Sequence, residues 1–509
     1  MRTRNCLGKA FALALFGIAL VGCGSKSSVQ PKQVEAASLQ SIVTDPQVRA
    51  FYGARQWQPA WDRKSERALL DVLAQAPTHG LRSDLFIHQP LPTDPNQREA
   101  ALTKAALSYA SALARGSVDP TKLGRTYTIP RPKPDVVGGL AQALQGDLAG
   151  WFWSLAPQTA EYRALSDAHL QFLKQAAAAK GAQVPSGKTI KPGQRDPRVP
   201  QLIAALVANG YLNPPPQERK QHQTPAPSRY AGAMIGAVRQ LQADFGLKPD
   251  GIVSPDTLAV LNAGASYRAR QIAVALERLR WVERNPPATR IDVNTAASLL
   301  DYWRGGAHQL QLRVINGQPD EWTTPQIQAP IFQLVANPYW RVPDRIFEDE
   351  LSKKSAAHLA ANGFSMRNGR MVQLPGPKNS LGQVKFDMRD PQQIYLHDTP
   401  FKNWFAVAER HRSHGCVRVQ NALDFAFQLA SEDGVQDKFQ EALASGEENY
   451  VKLRREIPVR LFYHTAYWDG RKVQFVPDVY GWDDDVARAL KLERGQPRPK
   501  YQRPEDVGP

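Results

Sequence analysis

The sequence predicts an α+β multidomain protein, with helical domains first and a β-rich domain after them. Apolar residues recur at helical spacing through much of residues 39–262, whereas short stretches that alternate apolar and polar residues begin at residue 290. The chain has 509 residues, which is enough for about three domains that each bury a core. We therefore expect separate helical and β-rich units along the chain.

The N-terminal segment has the order of a bacterial lipoprotein signal. Basic residues come first, an apolar run follows, and the string LVGC ends at Cys23. We therefore expect residues 1–22 to be a lipoprotein signal peptide and Cys23 to carry the lipid, with an uncleaved anchor helix as the alternative. Gly24 favours sorting to the outer membrane, so the prediction is a periplasmic, lipid-anchored protein. Residues 23–38 are small and polar and are expected to form a flexible tether.

Residues 39–195 are predicted to form a helical domain. The segments 101–113 and 160–179 are rich in Ala and Leu at helical spacing. No group of residues in this region suggests chemistry, so the sequence predicts a scaffold here.

Residues 196–264 carry a more distinct helical unit. Helices are predicted at 198–208 and 233–245, and a third is expected to begin after Ser254, a favourable N-cap residue. The stretch 213–228 is rich in Pro, Gln and Lys and has little to bury, which predicts an exposed insertion.

Residues 285–475 are predicted to form one β-rich domain. Its clearest predicted strands lie at 290–294, 309–315, 394–396 and 457–463. Residues of about 342–372 are helical and polar, unlike their flanks, and are expected to be an insertion that covers one face of the domain. Residues 476–509 are expected to form a C-terminal tail.

Cys416 is the most informative residue of the chain. Of three cysteines, Cys6 falls in the signal and Cys23 is the expected lipidation site, so Cys416 is expected to be the free thiol. A reactive thiol needs a base or a cationic neighbour to form the thiolate near neutral pH. An unpaired cysteine among histidines in an exported protein therefore predicts a nucleophile.

Three histidines are candidate partners for this thiol. His414 is two residues away and shares a face with it if the segment is extended, and His397 directly follows a predicted strand. His411 is expected at the surface. Gly415 leaves room for a substrate or a backbone amide beside the thiol, which could form an oxyanion hole. The residues alone leave the choice of base open.

The motifs around these residues resemble a known family. His397 together with SHGC at 413–416 is similar to the motif of YkuD-type L,D-transpeptidases. The strings IYLHDTP at 394–400, NPYW at 337–340 and GQVKF at 382–386 resemble the large YcbB-like branch. The family implies a β-rich catalytic domain with a helical capping insertion, preceded by a three-helix peptidoglycan-binding module and a helical N-terminal scaffold domain.

The resemblance also implies roles for the residues of the motif. Cys416 would be the nucleophile and His397 the general base, while His414 and Gly415 would shape the oxyanion site. Large members often carry serine at the position of His414, so the resemblance leaves open whether His414 shares the base role.

Three further residues are implied to bind the substrate. Arg418 would hold a carboxylate of the stem peptide, since a guanidinium binds carboxylates through two parallel hydrogen bonds. Tyr395 and Trp340 would line the pocket. The sequence has no Gly-rich phosphate loop and no spaced His/Glu metal cluster, so neither a cofactor nor a metal is expected.

The implied reaction is acyl transfer that forms 3→3 cross-links in peptidoglycan. A tetrapeptide stem would be the donor, the diamino acid of another stem the acceptor, and carbapenem-type compounds would acylate the cysteine. Two alternatives use the same residues, namely a hydrolase or endopeptidase and an enzyme that attaches a lipoprotein to the wall. A third is a non-catalytic wall-binding scaffold lipoprotein.

The chain is basic, with a formal net charge of +16. A positive net charge can favour binding to nucleic acid, to a membrane surface or to an anionic polymer. Export argues against nucleic acid, so the remaining interpretations are attraction to the cell wall and lipid head groups or a plain solvated surface.

Overall fold

The computed structural model describes residues 33–178, 183–214, 228–245, 247–407 and 409–492. Several predicted features lie wholly or mostly outside these residues: the signal peptide at 1–22, Cys23, most of the tether, the centre of the insertion at 213–228, and the end of the C-terminal tail.

The described residues contain helices in both halves of the chain. Their bounds are α1 (Ala36–Ile42), α2 (Pro46–Ala54), α3 (Arg63–Ala74), α4 (Pro95–Arg115), α5 (Val136–Ala143), α6 (Leu148–Leu155), α7 (Ala160–Ala178), α8 (Val199–Ala208), α9 (Ala233–Asp244), α10 (Pro255–Trp281), α11 (Asp344–Asp349), α12 (Ala356–Ala361), α13 (Ala422–Glu432), α14 (Gln436–Ala444) and α15 (Trp482–Ala489). None of these helices is long and apolar enough to cross a membrane.

Within the described part of the chain, the strands all follow residue 289. Their bounds are β1 (Arg290–Asn294), β2 (Leu299–Arg304), β3 (Ala307–Gly317), β4 (Gln328–Ala336), β5 (Trp340–Arg341), β6 (Phe364–Arg367), β7 (Arg370–Gln373), β8 (Val384–Met388), β9 (Leu396–His397), β10 (His411–Ser413), β11 (Val417–Val419), β12 (Asn449–Phe462), β13 (Ala466–Trp468) and β14 (Val473–Phe475).

The first seven helices form the N-terminal domain, and the second half of α10 completes its core. Asp45 and Asp94 cap α2 and α4 by accepting backbone N–H groups of the first turn. Residues of α10 from Ile272 to Trp281 share one core with these helices, as do Val486 and Leu490 near the C-terminal end of the described chain. The predicted tether is helical from Ala36 onwards.

The second unit consists of α8, α9 and the first half of α10 around a separate core. The hydroxyl of Ser254 accepts the N–H of Thr257 and caps α10, as its position in the sequence predicts. α10 kinks at Gly264, where φ is +41° and ψ is −127°. The amide oxygen of Asn209 accepts the N–H of Ala265 at 3.1 Å, which ties the end of α8 to this kink.

The third unit is a nine-stranded mixed sheet in the order β10-β3-β11-β9-β8-β4-β12-β1-β2. β2 also pairs with β3, so the sheet closes on itself. Its inner face packs against α13 and α14 in one apolar core. Leu396, Val417 and Val419 belong to that core, and the residues that alternate with them therefore point to the outer face.

The predicted insertion forms a small unit of its own, which we call the cap (residues 340–381). The three-stranded sheet β5-β7-β6 packs with α11 and α12 around a core that includes Trp340, Leu351 and Leu381. Trp322 and Tyr395 of the main sheet domain pack against this core, so the cap lies over the outer face of the main sheet.

The segment predicted as a C-terminal tail, residues 476–509, is folded at its start. Its helix α15 packs against α10. Arg278 of α10 forms a buried ion pair with Asp483 at 2.5 Å. The sequence prediction missed this packing because the partners are about two hundred residues apart, and no local pattern reports such a contact.

Candidate active site

The strands bring four predicted site residues together at the outer face of the sheet. β9 and β11 are parallel, and His397 lies opposite Arg418. Tyr395 and Cys416 each precede these residues by two positions, just outside the two strands. The hydrogen bond from the Tyr395 hydroxyl to Cys416 and the nearby charge of Arg418 place them beside this outer-face pair. Lys385 of β8 lies opposite His397 and joins them. The fold thus gathers one thiol, one imidazole, one phenol and two cations under the cap.

The thiol of Cys416 is half-buried and has a donor beside it. Burial raises its pKa, while hydrogen bonds from the backbone N–H and hydroxyl of Tyr395 and the charges of Lys385 and Arg418 act in the opposite direction. Burial also raises the pKa of Tyr395 well above its usual value, so this hydroxyl stays protonated and can donate to sulfur. The balance favours a neutral thiol in the free protein.

His397 is buried and neutral. Burial lowers its pKa to about 3, and the nearby charge of Arg418 acts in the same direction. Its Nδ1 lies 2.5 Å from the carbonyl oxygen of Asp398. A carbonyl only accepts, so Nδ1 carries the proton and Nε2 keeps a lone pair that can take one up. His397 therefore has the tautomer of a base but is not paired as an imidazolium with a thiolate.

Arg418 is buried, with 3% of its surface exposed. Its guanidinium lies 5.3 Å from the ring centre of Trp404, in the loop between β9 and β10. The predicted role of Arg418 as a carboxylate anchor stays a prediction.

His414 points to the cap rather than to the thiol. Its Nε2 lies 2.7 Å from Oε1 of Glu350, at the end of α11, and its ring contacts Trp322 edge-on at 4.8 Å. Residues 414–416 form a bend, so the extended geometry that would align His414 with Cys416 is absent. His414 connects the cysteine-bearing turn to the cap.

Gly415 has a φ of +110°, which side chains disfavour, so the turn requires glycine here. Its N–H donates to the hydroxyl of Ser413 at 3.2 Å, and that hydroxyl donates to the carbonyl of Cys416 at 2.5 Å. The amide of Gly415 is thus engaged by Ser413, and its predicted share in the oxyanion site stays a prediction. His411 differs from its prediction, because it is buried rather than at the surface.

Two residues that the sequence analysis did not single out hold this turn in place. The hydroxyl of Thr324 donates to the carbonyl of Gly415 at 2.8 Å and accepts the N–H of Gly317 at 2.9 Å. The hydroxyl of Tyr480 donates to the carbonyl of Gly317 at 2.6 Å and accepts the N–H of Thr324 at 3.3 Å. Neither residue lies in a recognisable motif, so no sequence signal indicated them.

Trp340 lies in the core of the cap, with 5% of its surface exposed and Phe364 at 6.0 Å. Tyr395 packs against that core and separates it from Cys416. Trp340 can therefore affect the site only by way of its contact with Tyr395. No cluster of three or more His, Cys, Asp or Glu residues suited to a metal occurs in the described parts of the chain.

Comparison with known families assigns the three units separately. Residues 288–436 match the L,D-transpeptidase catalytic domain (YkuD). The chain contains an L,D-transpeptidase catalytic domain. Residues 195–261 match the family described as "Putative peptidoglycan binding domain", and residues 46–169 match the family named Scaffold domain.

A curated relative supports the L,D-transpeptidase assignment. The "Putative L,D-transpeptidase" of Haemophilus influenzae is 29% identical over 223 residues, which cover 39% of this chain and 45% of the relative. This chain thus matches less than half the length of that relative.

Solved structures of L,D-transpeptidases are distant from this chain as a whole. One from Xylanimonas cellulosilytica is 17% identical, covering 55% of this chain and 99% of its own, with a TM-score of 0.18. The Ldtfm–avibactam carbamoyl enzyme is 14% identical, covering 36% of this chain and 51% of its own, with a TM-score of 0.21. The assignment rests on the family models and the curated relative.

These matches confirm the predicted α+β organisation: a helical scaffold domain, a peptidoglycan-binding domain and a β-rich L,D-transpeptidase domain. His397 and Cys416 both lie inside the matched catalytic range. Membership of the YcbB-like branch stays a prediction.

Proposed function

We propose that this protein is a peptidoglycan L,D-transpeptidase that forms 3→3 cross-links through a thioester on Cys416. The observation that supports this most is the proximity of Cys416, Tyr395 and His397 within an L,D-transpeptidase domain. A peptidoglycan-binding domain in the same chain supplies a reason for wall substrates to be near.

The proposed first step forms a thioester. Sγ of Cys416 attacks the carbonyl carbon of the third stem residue as Nε2 of His397 takes the thiol proton. The amide bond to the terminal D-alanine breaks, and its nitrogen leaves with that proton. Because both groups are neutral at rest, proton transfer accompanies attack rather than preceding it.

The second step transfers the acyl group. The side-chain amine of a diamino acid on another stem attacks the thioester, His397 takes a proton from it, and the thiol of Cys416 is regenerated. A cap that excludes water favours the amine over hydrolysis. A carbapenem would acylate the same sulfur.

The test incubates the purified protein with disaccharide-tetrapeptides and weighs the products. We expect cross-linked dimers and free D-alanine, and the Cys416→Ala variant should give neither. Released monomers from cross-linked dimers would instead support the hydrolase alternative. Absence of dimers, D-alanine and acyl-enzyme together would reject the transpeptidase and leave the wall-binding scaffold.

Lipid attachment at Cys23 belongs to the same proposal, with anchoring in the outer membrane. Cells labelled with a palmitate analogue should yield a labelled protein. A Cys23→Ala variant that keeps the label would contradict the proposed anchor.

A further inference from the structure

The N-terminal domain has a cavity of about 140 Å³ that the proposed reaction does not use. Its lining includes His79 of the short helix before Gly80, Trp153 of α6, Gln158 of the loop after α6, and Arg163, Ser166 and Asp167 of α7. Trp153 is 54% exposed and lines this cavity, so part of its side chain is open to a ligand.

A buried hydrogen-bond chain fixes the proton on His79. Arg280 donates to the hydroxyl oxygen of Tyr162 at 2.9 Å, so the hydroxyl hydrogen is free to donate to Nδ1 of His79 at 3.0 Å. Burial lowers the pKa of His79 to about 3, so the ring is neutral and its single proton sits on Nε2. His79 thus offers one N–H donor in the lining of the cavity.

Other polar groups of the lining also have bonding capacity left. The hydroxyl of Ser166 is in a residue only 5% exposed and bonds to no other residue that the structure describes. A hydroxyl that lines a cavity and has no protein partner can bond to a ligand or water there. The amide nitrogen of Gln158 donates to two carbonyls, which leaves its oxygen as an acceptor. The carboxylate of Asp167 is exposed beside it.

The opposite charges of Arg163 and Asp167 leave the lining without a net charge, so this set of groups matches an uncharged sugar that carries an acetamido arm. The N–H of His79 suits the acetyl carbonyl, and the oxygen of Gln158 or Asp167 suits the acetamido N–H. The face of an exposed indole suits the apolar side of a pyranose ring, because the indole combines a large apolar surface with a rigid plane. The cavity of about 140 Å³ is smaller than an ordinary ligand pocket of about 300–1,000 Å³, so it suits the acetamido arm while the sugar ring lies against the exposed part of Trp153.

We propose that the cavity at Trp153 binds an N-acetylhexosamine unit of a glycan strand. The scaffold domain would then bind the glycan strands of the wall independently of the peptidoglycan-binding domain. This inference depends on neither Cys416 nor the proposed reaction, so a failed transpeptidation assay leaves it untouched.

The test is ¹⁹F NMR of the full chain with 5-fluorotryptophan in place of tryptophan. A Trp153→Phe variant identifies the Trp153 resonance by its loss. We expect chitotetraose to shift that resonance with saturation, whereas cellotetraose, which lacks the acetamido groups, should not.

Paired serine variants test the cavity itself. Ser166→Ala should weaken the response of the Trp153 resonance about threefold to tenfold, since one hydrogen bond is lost. Ser154→Ala is the matched control, because Ser154 is an exposed serine of α6 whose hydroxyl bonds to the carbonyl of Trp151. Thermal unfolding of each variant verifies that it is folded.

Three results would overturn the proposal. The Trp153 resonance could stay unmoved by chitotetraose, it could respond equally to cellotetraose, or it could respond to a sugar-free stem tetrapeptide instead. The last result would assign the cavity to peptide rather than to glycan.

Discussion

The thiol of Cys416 is subject to opposing influences. Burial raises its pKa, and the hydroxyl of Tyr395 with the cations Lys385 and Arg418 stabilises the thiolate. His397 adds no positive charge, because burial keeps it neutral. In the resting protein, the thiol of Cys416 is therefore protonated and the imidazole of His397 is neutral.

The alkylation rate of Cys416 should consequently rise steadily from about pH 6 to about pH 9. A thiolate–imidazolium pair would give a plateau over this range, since the sulfur would already be ionised. The measurement is the rate of iodoacetamide addition by intact mass, with Cys416→Ala as the blank. A flat profile would contradict the neutral thiol.

Tyr395→Phe should move this profile to higher pH and slow alkylation near neutral pH. The variant removes a hydrogen bond to the thiolate while the ring still packs against the cap. Tyr450→Phe, on an exposed residue of β12, is the control and should leave the profile in place. An unshifted profile in Tyr395→Phe would mean that its hydroxyl does not tune the sulfur.

Local sequence patterns were sufficient to predict the location of some residues of the site but not of others. Cys416 and His397 lie nineteen positions apart in a dense motif, so their location at neighbouring strands was predictable, whereas their pairing in catalysis stays a prediction. Thr324 and Tyr480 act on the turn through backbone contacts across 91 and 163 residues. Such contacts arise from the closed sheet and leave no periodic trace in the sequence.

At the scale of elements, the cysteine-bearing turn is a bend between two short strands. Its conformation depends on hydrogen bonds from outside the motif, of which those of Thr324 are central. Gly317 packs so closely that a Cβ there would lie 1.8 Å from the carbonyl oxygen of Trp322. The turn therefore has little freedom to adjust when a support is removed.

Thr324→Val should lower the rate of Cys416 acylation by a carbapenem about tenfold or more. Valine has nearly the same shape but cannot donate to the Gly415 carbonyl or accept from Gly317, so two buried groups lose partners at about 1–3 kcal/mol each. Thr323→Val, at the neighbouring half-buried position, is the matched control. Equal rates in both variants would show that the turn needs no such support.

Glu350→Gln should loosen the cap from the turn. The change removes the carboxylate that lies 2.7 Å from Nε2 of His414 and weakens that hydrogen bond. We expect faster amide hydrogen exchange in α11 and α12, with Glu348→Gln on the same helix as control. Unchanged exchange in both helices would assign the contact to packing alone.

The boundaries of helices and strands show which features local sequence patterns can predict and which they cannot. α8 and α9 were predicted within about two residues, because their apolar spacing and ends are strong local signals. The strand predicted at 394–396 instead begins at Leu396. The N–H of Ile394 bonds to the carboxylate of Asp390, which takes it out of the ladder.

At the scale of the whole molecule, several buried groups take up or release protons on unfolding. Burial lowers the pKa of His79, His397 and His464 to about 3 and that of His169 to about 4. Burial raises the pKa of Glu161 and Asp478 to about 7. At about pH 5 the unfolded chain binds protons at the four histidines and releases them from the two carboxyls.

The folded state should therefore lose stability as the pH falls from about 6.5 towards 4. Each histidine contributes stability that is complete above about pH 6.5 and declines below it by about 1.4 kcal/mol per pH unit, and the two carboxyls offset part of this loss. The measurement is the urea midpoint at about pH 7 and about pH 5. His169→Gln should flatten the dependence, and an equal or higher midpoint at the lower pH would contradict the histidine assignment.

The position of Tyr480 has a consequence for the order in which parts of the protein fold. The turn with Cys416 takes its final support from a residue synthesised 64 positions later, within a segment held by the ion pair of Asp483 with Arg278. Because the proposed lipoprotein folds after export, the turn lacks this support in any folding intermediate whose segment around Tyr480 has not yet docked. We expect Cys416 to reach its final geometry only when that segment is in place.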